Sequence, residues 1–257
     1  MTTLERPALR PRILAGETLF GLFVDLGSPI SAEICGHAGY DWLVLDLEHG
    51  SGTEASLMAH LHAVETTPAA AIVRPQSGER LRIGRALDLG AAGIMIPQSQ
   101  SAADALENVR HLHYPPQGDR GVALRTRGAG LGTVGHGDVR RVNDGIVGIV
   151  QIESPGAVGE ADAIAAIDGV DVLFVGPADL SHSLGVPGQF QSETYLDALS
   201  VVVTAAEAHG KAAGILVYDT AVVPRHLEMG FRFVGIGADA AFVADGAKRA
   251  LAAMRGG

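Results

Sequence analysis

The chain has 257 residues, a length that suits one large domain or two small ones. It is 47% hydrophobic and 19% charged, which provides enough apolar material for a sizeable core and is unlike a disordered chain. The formal net charge of −10 argues against nucleic acid or an anionic membrane as a partner, because either would favour a basic face. A small substrate remains compatible with this charge.

Two further features predict a cytoplasmic protein. The N-terminal MTTLERPALRPRILAG has no apolar stretch of signal-peptide length, and no segment reaches ~18 uninterrupted apolar residues. The single cysteine, Cys35, excludes an internal disulfide framework and indicates a reducing compartment.

Short β-rich runs alternate with helical patterns from end to end. In chain order, the predicted strands are LFGLFVD, DWLVLD, AAAIVR, AGIMIP, GIVGIVQIE, VDVLFVG, AAGILV and RFVGIG. Amphipathic stretches such as TEASLMAHLHAVE, GERLRIGRALDLG, SAADALENVRHLHY and ETYLDALSVVVTAAEAHG lie between them. Strand–helix units repeated in this way over ~250 residues predict an α/β fold, a parallel (β/α)8 TIM barrel forming one domain over residues 1–257. A doubly wound sheet is the alternative.

Two segments are predicted to lie at subunit interfaces. Residues 115–144 form a long irregular stretch rich in glycine and arginine, and such loops in compact domains are usually functional or interfacial. Its arginines Arg120, Arg125 and Arg127 are candidates to reach a neighbouring site. The helix predicted over 239–255 has an apolar stripe that either closes the barrel or docks on a neighbour.

Polar residues gather where several predicted strands end. The second strand ends in Asp46, Glu48 and His49 of VLDLEHG, and the third in Arg74 of IVRP. The fifth and sixth strands end in a second group, which comprises Gln151, Glu153 and Asp179. Barrel enzymes build their active sites at the carboxyl ends of strands, so these side chains are candidate site residues.

Glu153 and Asp179 are two carboxylates on adjacent strand ends, and hard oxygen ligands suit Mg²⁺ or a similar divalent ion. Pairing of the two carboxylates with nearby arginines is the alternative. Gln151 lies two residues before Glu153, so strand alternation directs both side chains to the same face.

His49 and Arg74 are the candidates for proton transfer and charge stabilisation. His49 is a histidine at a strand end beside acids, which favours a general base. The Arg74 guanidinium beside a metal site can stabilise an oxyanion; an ion pair with Glu48 or Asp46 is the alternative.

Other features carry less weight. The pairs His60/His62 and His111/His113 resemble the H-x-H of metal hydrolases, but residues two apart on a helix diverge by roughly 200° and cannot chelate one ion. The turn GPAD at 176–179 directs backbone N–H groups toward an anion, which is a weak signal alone.

With these motifs in hand, the chain resembles the metal-dependent (class II) pyruvate aldolases of the 2,4-dihydroxyhept-2-ene-1,7-dioate aldolase family, a group that includes 2-dehydro-3-deoxyglucarate aldolase. The likeness covers roughly residues 15–250, through LDLEHG, IVRP, PPQGDRG, VQIES and VGPADLS in that order. The resemblance implies that Glu153 and Asp179 bind a divalent ion (Mg²⁺, Mn²⁺ or Co²⁺). It also implies that His49 is the base and that Arg74 stabilises the transition state.

The resemblance implies further roles. Gln151, Ala178 and Asp179 would contact the pyruvyl moiety. The family also has an aspartate that raises the basicity of the histidine, and Asp88 of ALDLGAAG matches it. The local pattern, however, places Asp88 near the end of a helix, away from the barrel mouth. The resemblance further implies a homotrimer or a homohexamer.

The predicted function is a lyase that cleaves 4-hydroxy-2-oxo acids reversibly to an aldehyde and pyruvate, or a close analogue such as hydroxypyruvate. Asp46 and Glu48 would orient water and His49. The rivals are an acyl-CoA lyase of the citrate-lyase β-subunit type, a metal-dependent hydrolase and a barrel that binds a ligand without catalysis. A Schiff-base mechanism is disfavoured because the chain has only two lysines, Lys211 and Lys248, neither of which follows a predicted strand at the catalytic face.

Overall fold

A computed structural model describes residues 8–255. Eight strands form a closed barrel in which every neighbouring pair is parallel, including the last strand with the first. This closure confirms the predicted (β/α)8 barrel and rules out the doubly wound sheet, which would leave two open edges. Residues 1–7 and 256–257 of the predicted single domain lie outside the described residues.

The eight strands coincide with the apolar runs of the sequence. They are β1 (Leu19–Val24), β2 (Trp42–Asp46), β3 (Ala70–Arg74), β4 (Gly93–Ile96), β5 (Val147–Ile152), β6 (Val172–Val175), β7 (Ala212–Val217) and β8 (Phe231–Ala238).

Helices surround the barrel and connect its strands. They are α1 (Leu9–Leu14), α2 (Pro29–His37), α3 (Glu54–Glu65), α4 (Arg80–Asp88), α5 (Ala102–Arg110), α6 (Val139–Gly145), α7 (Pro155–Gly159), α8 (Ala161–Ala165), α9 (Pro177–Ser183), α10 (Glu193–Ala208), α11 (Val223–Met229) and α12 (Asp239–Arg255). Short 3₁₀ helices span Arg127–Gly132, His136–Asp138 and Thr220–Val222. No helix in residues 8–255 is long and apolar enough to cross a membrane.

Alternation along the strands divides the core into two layers. Side chains such as Leu43 and Leu45 pack outward under the helices, whereas Trp42 and Phe174 fill the barrel interior. The Trp42 and Phe233 rings stack with centroids 4.2 Å apart. Glycine is required at Gly21, because a Cβ there would fall inside the Trp42 indole ring. The barrel is therefore a packed core, and only its carboxyl end is free to form a site.

The stretch 115–144 is not without structure. It contains two of the three 3₁₀ helices and most of α6, and it packs against its own barrel. The buried Arg120 donates to Asp88 Oδ1 at 2.7 Å and lies over the Tyr114 ring, 4.4 Å from its centroid. Arg127 pairs with Glu65 of the same chain. Arg120 and Arg127 are thus committed within the chain, and only the exposed Arg125 of the three predicted arginines has no ion pair in residues 8–255.

Helix α12 is present as predicted but barely covers the barrel. Asp239, its first residue, is the only buried residue in 239–255. Its apolar side chains are exposed, with Phe242 at 45%, Val243 at 60% and Met254 at 82% of their full accessible surface. These exposed side chains do not close the barrel, and docking of α12 on a neighbour stays a prediction.

Candidate active site

The polar strand ends form one group at the mouth of the barrel. The inward positions of β2 are Trp42 and Val44, so the next inward position is Asp46. By the same alternation Arg74 ends the inward row of β3, and Asp46 and Arg74 are paired in register. On β5 the inward row continues from Ile149 to Gln151. Burial of the strand bodies thus leaves the carboxyl-end layer as the first polar layer of the interior.

Arg74 is clamped between two acids. Its Nε and Nη2 atoms donate to Asp46 Oδ1 and Oδ2 at 2.8 and 2.7 Å, and its Nη1 lies 3.3 Å from Glu48 Oε2. The guanidinium also lies over the Phe23 ring, 5.1 Å from its centroid. The ion pair considered as an alternative is therefore present. It orients the cation at the mouth and leaves the oxyanion role open, because a guanidinium has five N–H donors.

This clamp affects the titration of both acids. Burial favours protonation of Asp46, but hydrogen bonds and charge from Arg74 outweigh it and lower the pKa of Asp46. Burial raises the pKa of Glu48, and Arg74 opposes that shift.

His49 lies in the loop after β2 and is exposed, with 63% of its side chain accessible. Asp46 holds this loop by accepting hydrogen bonds from the N–H groups of Glu48 and His49, at 3.0 and 3.4 Å. His49 Nε2 lies 3.9 Å from Glu48 Oε2. Asp46 therefore orients the backbone of His49, and Glu48 is the acid beside its ring. The exposure leaves the imidazole accessible to a substrate.

Glu153 is a buried carboxylate whose two oxygens are held by different strands. Oε1 accepts from Gln151 Nε2 at 2.8 Å, and Oε2 accepts from the N–H of Gln98 at 3.2 Å. Burial raises the pKa of Glu153 to about 7, and the charges of Asp179 and Glu48 act in the same direction. The alternative in which arginines pair with the carboxylates does not describe Glu153, because no arginine in residues 8–255 forms an ion pair within 4.0 Å with it. The charge of Arg74 nevertheless opposes the rise in the pKa of Glu153 in part.

Asp179 and Ala178 are exposed residues in the first turn of α9. Pro177 has no N–H, and the N–H groups of Ala178 and Asp179 have no acceptor within the helix, as is usual for a first turn. Asp179 is close enough to Glu153 to raise the pKa of that residue. The turn therefore places a carboxylate and free N–H groups at the same side of the mouth.

The donor set fits a hard divalent cation. Glu153 and Asp179 supply two carboxylates, and the buried Gln151 Oε1 has no hydrogen-bond partner. Residues 8–255 contain no group of three or more His, Cys, Asp or Glu side chains arranged around one point. Two carboxylates that leave positions open for substrate and water suit Mg²⁺ or Mn²⁺ better than Zn²⁺, which prefers nitrogen and sulfur ligands.

Asp88 does not join this group within its own chain. It is the last residue of α4, which follows β3 and returns to the amino end of the barrel, and it pairs there with Arg120. The position of Asp88, away from the barrel mouth, agrees with the helical pattern around it. Within one chain, Asp88 therefore does not contact the group at the mouth, and the role implied by the resemblance stays a prediction.

His60 and His111 of the two H-x-H pairs have structural roles. His60 is buried in α3 with its Nδ1 atom 2.8 Å from the Ser56 carbonyl oxygen, and His111 caps α5 with its Nδ1 atom 2.7 Å from Asp119 Oδ1.

Two residues at the barrel mouth, Gln98 and Asp25, were not predicted from the sequence. Gln98 donates its N–H to Glu153 and its Nε2 to Glu48 Oε1 at 3.0 Å, and it does so with a left-handed φ of 53°. A non-glycine residue in that conformation marks a position that the surrounding structure determines. Asp25 follows β1 and lies among the charges of Asp46, Arg74 and His49. The available signal was positional, since both are polar residues just after predicted strands.

Comparison with known proteins agrees with this geometry. The model of the HpcH/HpaI aldolase/citrate lyase family matches residues 19–245. A hydroxypyruvate/pyruvate aldolase from Paraburkholderia phytofirmans is 40% identical over 261 residues, covering 99% of this chain and 100% of the relative. A 4-hydroxy-2-oxo-heptane-1,7-dioate aldolase from Salmonella dublin is 35% identical, over 97% of this chain and 94% of the relative.

Structural comparison gives the same result. The crystal structure of a family protein from Burkholderia cenocepacia superposes with a TM-score of 0.90 and 37% identity, covering 96% of this chain and 98% of that one. Family model, relatives and fold coincide over nearly the whole length, and the chain belongs to the HpcH/HpaI aldolase/citrate lyase family.

Proposed function

We propose that the protein is a class II carbon–carbon lyase that cleaves 4-hydroxy-2-oxo acids reversibly into an aldehyde and pyruvate, or a close analogue such as hydroxypyruvate. The observation that carries the proposal is the convergence of three functions at one barrel mouth. Three features occupy that mouth: a carboxylate pair (Glu153 and Asp179) with no ion pair within 4.0 Å in residues 8–255, a clamped cation (Arg74) and an accessible imidazole (His49). The names of the two relatives described above support the aldolase assignment.

The family is generally dependent on a divalent metal, and Mg²⁺, Mn²⁺ or Co²⁺ would be held here by Glu153 and Asp179. When bound, such an ion polarises the carbonyl of a chelating 2-oxo acid and stabilises negative charge. Gln151 and the first turn of α9, at Ala178 and Asp179, would contact the pyruvyl moiety. The free N–H groups of that turn suit a carboxylate.

His49 and Arg74 supply the remaining chemistry. His49 moves the proton at C3 of the pyruvyl moiety, since its ring is accessible and lies beside Glu48. Arg74 stabilises the oxyanion that develops when that proton or the C3–C4 bond is lost. Asp46 holds the guanidinium in a fixed orientation, so little reorganisation is needed during the reaction.

The rival functions are less well supported. A citrate-lyase-type acyl-CoA lyase would share the acidic site, but the chain is acidic and poor in lysine, and both relatives described above are named as aldolases. A hydrolase built on an H-x-H pair is disfavoured because His60 and His111 serve structural contacts.

The active form is proposed to be a homotrimer or a homohexamer. The exposed apolar side chains of α12 supply a contact surface. Asp88 would act only on the His49 of another copy, because the two residues lie at opposite ends of one barrel. Contact of 115–144 with a neighbour is part of the same proposal.

The direct test is pyruvate-dependent turnover with a panel of aldehydes, using protein stripped with EDTA and then reloaded with Mg²⁺, Mn²⁺ or Co²⁺. Aldol formation that requires both pyruvate and metal is expected. Full activity in stripped protein would overturn the metal assignment, and hydrolysis of esters without aldol formation would favour the hydrolase.

A further inference from the structure

Asp25 is the first residue beyond β1, and it faces the barrel mouth. Phe23 belongs to the interior layer and Val24 to the outer layer, so alternation directs Asp25 inward. Val24 is paired in register with Leu45, which places Asp25 level with Asp46 on the neighbouring strand. Asp25 therefore occupies the same polar layer as the Asp46–Arg74 pair.

The backbone of Asp25 is held on both sides. Its N–H donates to Asp239 Oδ1 at 2.7 Å, and its carbonyl oxygen accepts from the N–H of Ser51 at 2.7 Å. Gly50 permits this approach, because a Cβ there would lie 3.1 Å from the Asp25 carbonyl oxygen and 3.2 Å from its Cα. The loop that carries His49 is thus tied directly to Asp25.

The side chain, in contrast, is not satisfied. Asp25 Oδ1 is buried and has no hydrogen-bond partner, whereas both oxygens of Asp46 are bonded to Arg74. A buried acceptor left without a donor destabilises the fold, so such groups usually have a functional reason. An acceptor fixed at the mouth is suited to a donor that arrives with the substrate.

The surroundings also favour a carboxyl group that exchanges protons. Burial raises the pKa of Asp25 to about 6, with further contributions from neighbouring carboxylates, while two cationic neighbours oppose the shift. The charged or titratable groups around it are Asp46 at the end of β2, Arg74 at the end of β3, His49 in the loop after β2, Asp239 of α12 and Tyr218 after β7.

The aldolase reaction proposed above needs two separate proton transfers. One takes place at C3 of the pyruvyl moiety and is assigned to His49. The other takes place at the C4 hydroxyl, which must lose its proton as the aldehyde carbonyl forms. A hydroxyl is also the kind of donor that the unpaired Asp25 oxygen requires.

We propose that Asp25 is a second catalytic acid–base residue, which binds the C4 hydroxyl of the aldol substrate and takes its proton. As that proton moves to the Asp25 carboxylate, the O–H electron pair forms the carbonyl of the aldehyde. The C3–C4 bond breaks, and its electron pair moves to C3 of the pyruvyl enolate. His49 in its protonated form then donates a proton to C3 and regains one from water, and Asp25 releases its proton to water after the aldehyde leaves. In condensation, protonated Asp25 delivers its proton to the aldehyde oxygen. This proposal rests on the proposed function.

The test compares two half-reactions in the loaded enzyme. Asp25→Asn keeps the shape and a hydrogen-bond acceptor but cannot take a proton. Cleavage of a 4-hydroxy-2-oxo acid should slow by about 10²–10⁴, the usual effect of losing a general base. Hydrogen–deuterium exchange at C3 of pyruvate, which needs no C4 hydroxyl, should stay within about threefold of wild type. His49→Ala is the matched control, and it should slow the exchange.

Two further readouts separate a catalytic from a structural role. The wild-type pH profile of cleavage should have an acidic limb near the pKa of about 6, and Asp25→Asn should lack it. Formate should partly restore cleavage in Asp25→Ala, where space for a small carboxylate is left. Cleavage in Asp25→Asn within threefold of wild type, or a parallel fall of exchange and cleavage, would overturn the proposal. A wild-type enzyme that performs neither reaction would refute the proposed function itself, which is a distinguishable result.

Discussion

Gly176 leaves the space that the Glu153 carboxylate occupies. A Cβ built on Gly176 would lie 2.9 Å from Glu153 Cγ and 3.0 Å from Cδ, and closer still to Oε1. Real Cβ atoms do not approach that closely, so any side chain at 176 must displace Glu153. Because Gly176 precedes the α9 turn that carries Asp179, this single glycine controls the relative placement of the two proposed metal ligands.

Gly176→Ala should therefore weaken divalent-ion binding by at least about tenfold while the fold is retained, since the backbone at 176 has an ordinary φ of −88° and Glu153 is a flexible side chain. Isothermal titration with Mn²⁺ measures the affinity, and circular dichroism checks the fold. Gly159→Ala is the matched control, because a Cβ there meets nothing within 4 Å. Unchanged Mn²⁺ affinity in Gly176→Ala would contradict the assignment of Glu153 as a ligand.

The raised pKa of Glu153 predicts a pH dependence. With a pKa of about 7, compared with 4.5 for the free side chain, folded apo-protein binds this proton more tightly than unfolded protein does. The free energy of unfolding should then fall as pH rises from about 4.5 to 7. Apo Glu153→Gln should melt at a higher temperature than apo wild type at pH 8, and the two should converge near pH 4. A divalent ion should raise the melting temperature of wild type but not of the variant. Equal melting temperatures at both pH values would count against a buried, uncompensated carboxylate.

No covalent adduct should form with pyruvate and borohydride. Lys211 lies just before β7 at the amino end of the barrel, and Lys248 is on α12, so neither reaches the carboxyl-end mouth of its own barrel. A Schiff base needs a lysine beside the substrate carbonyl. Intact-protein mass spectrometry should show an unchanged mass. A covalent increase mapped to either lysine would refute the metal-dependent mechanism.

Substitutions at His49 and Arg74 should have different kinetic effects. His49→Ala should slow hydrogen–deuterium exchange at C3 of pyruvate by about 10²–10⁴. Arg74→Lys keeps the charge but loses the planar fork that pairs with both Asp46 oxygens, so roughly 2.7–4 kcal/mol of transition-state stabilisation should be lost. Mn²⁺ affinity should change little in either variant, because neither residue is a proposed ligand. Proton NMR measures the exchange. Wild-type exchange in His49→Ala would show that another group is the base.

Light scattering at micromolar concentration should detect a trimer or a hexamer. Phe242→Asp and Met254→Asp place charges on the exposed apolar face of α12 and should shift the protein toward smaller species. Leu106→Asp, which charges an exposed apolar position of α5, is the matched control and should leave the mass unchanged. A monomeric wild type would contradict the proposed assembly.

Local patterns in the sequence predict much of the fold and the position of many site residues. Eight apolar runs, several of which end in polar residues, predict a parallel barrel with a polar mouth, because strands buried on both faces must be apolar and only their ends meet solvent. The same pattern placed Asp46, Arg74, Gln151 and Glu153 on the inward face at the carboxyl end of the barrel, since side chains alternate along a strand. The scarcity of lysine, which argues against a Schiff-base mechanism, is visible in the sequence alone.

Other features depend on contacts between residues distant in the sequence. The commitment of Arg120 to Asp88 and the clamp of Arg74 between Asp46 and Glu48 arise from packing of separate elements. The left-handed Gln98, which bridges Glu153 and Glu48, has no local signature, because its conformation is set by partners 55 and 50 positions away. Burial, pairing and hence the charge state of a carboxyl group depend on everything folded around it. For that reason the sequence could name Glu153 as a ligand candidate, whereas only the tertiary structure decided that it is buried with a raised pKa and that Asp25 has a buried oxygen without a donor.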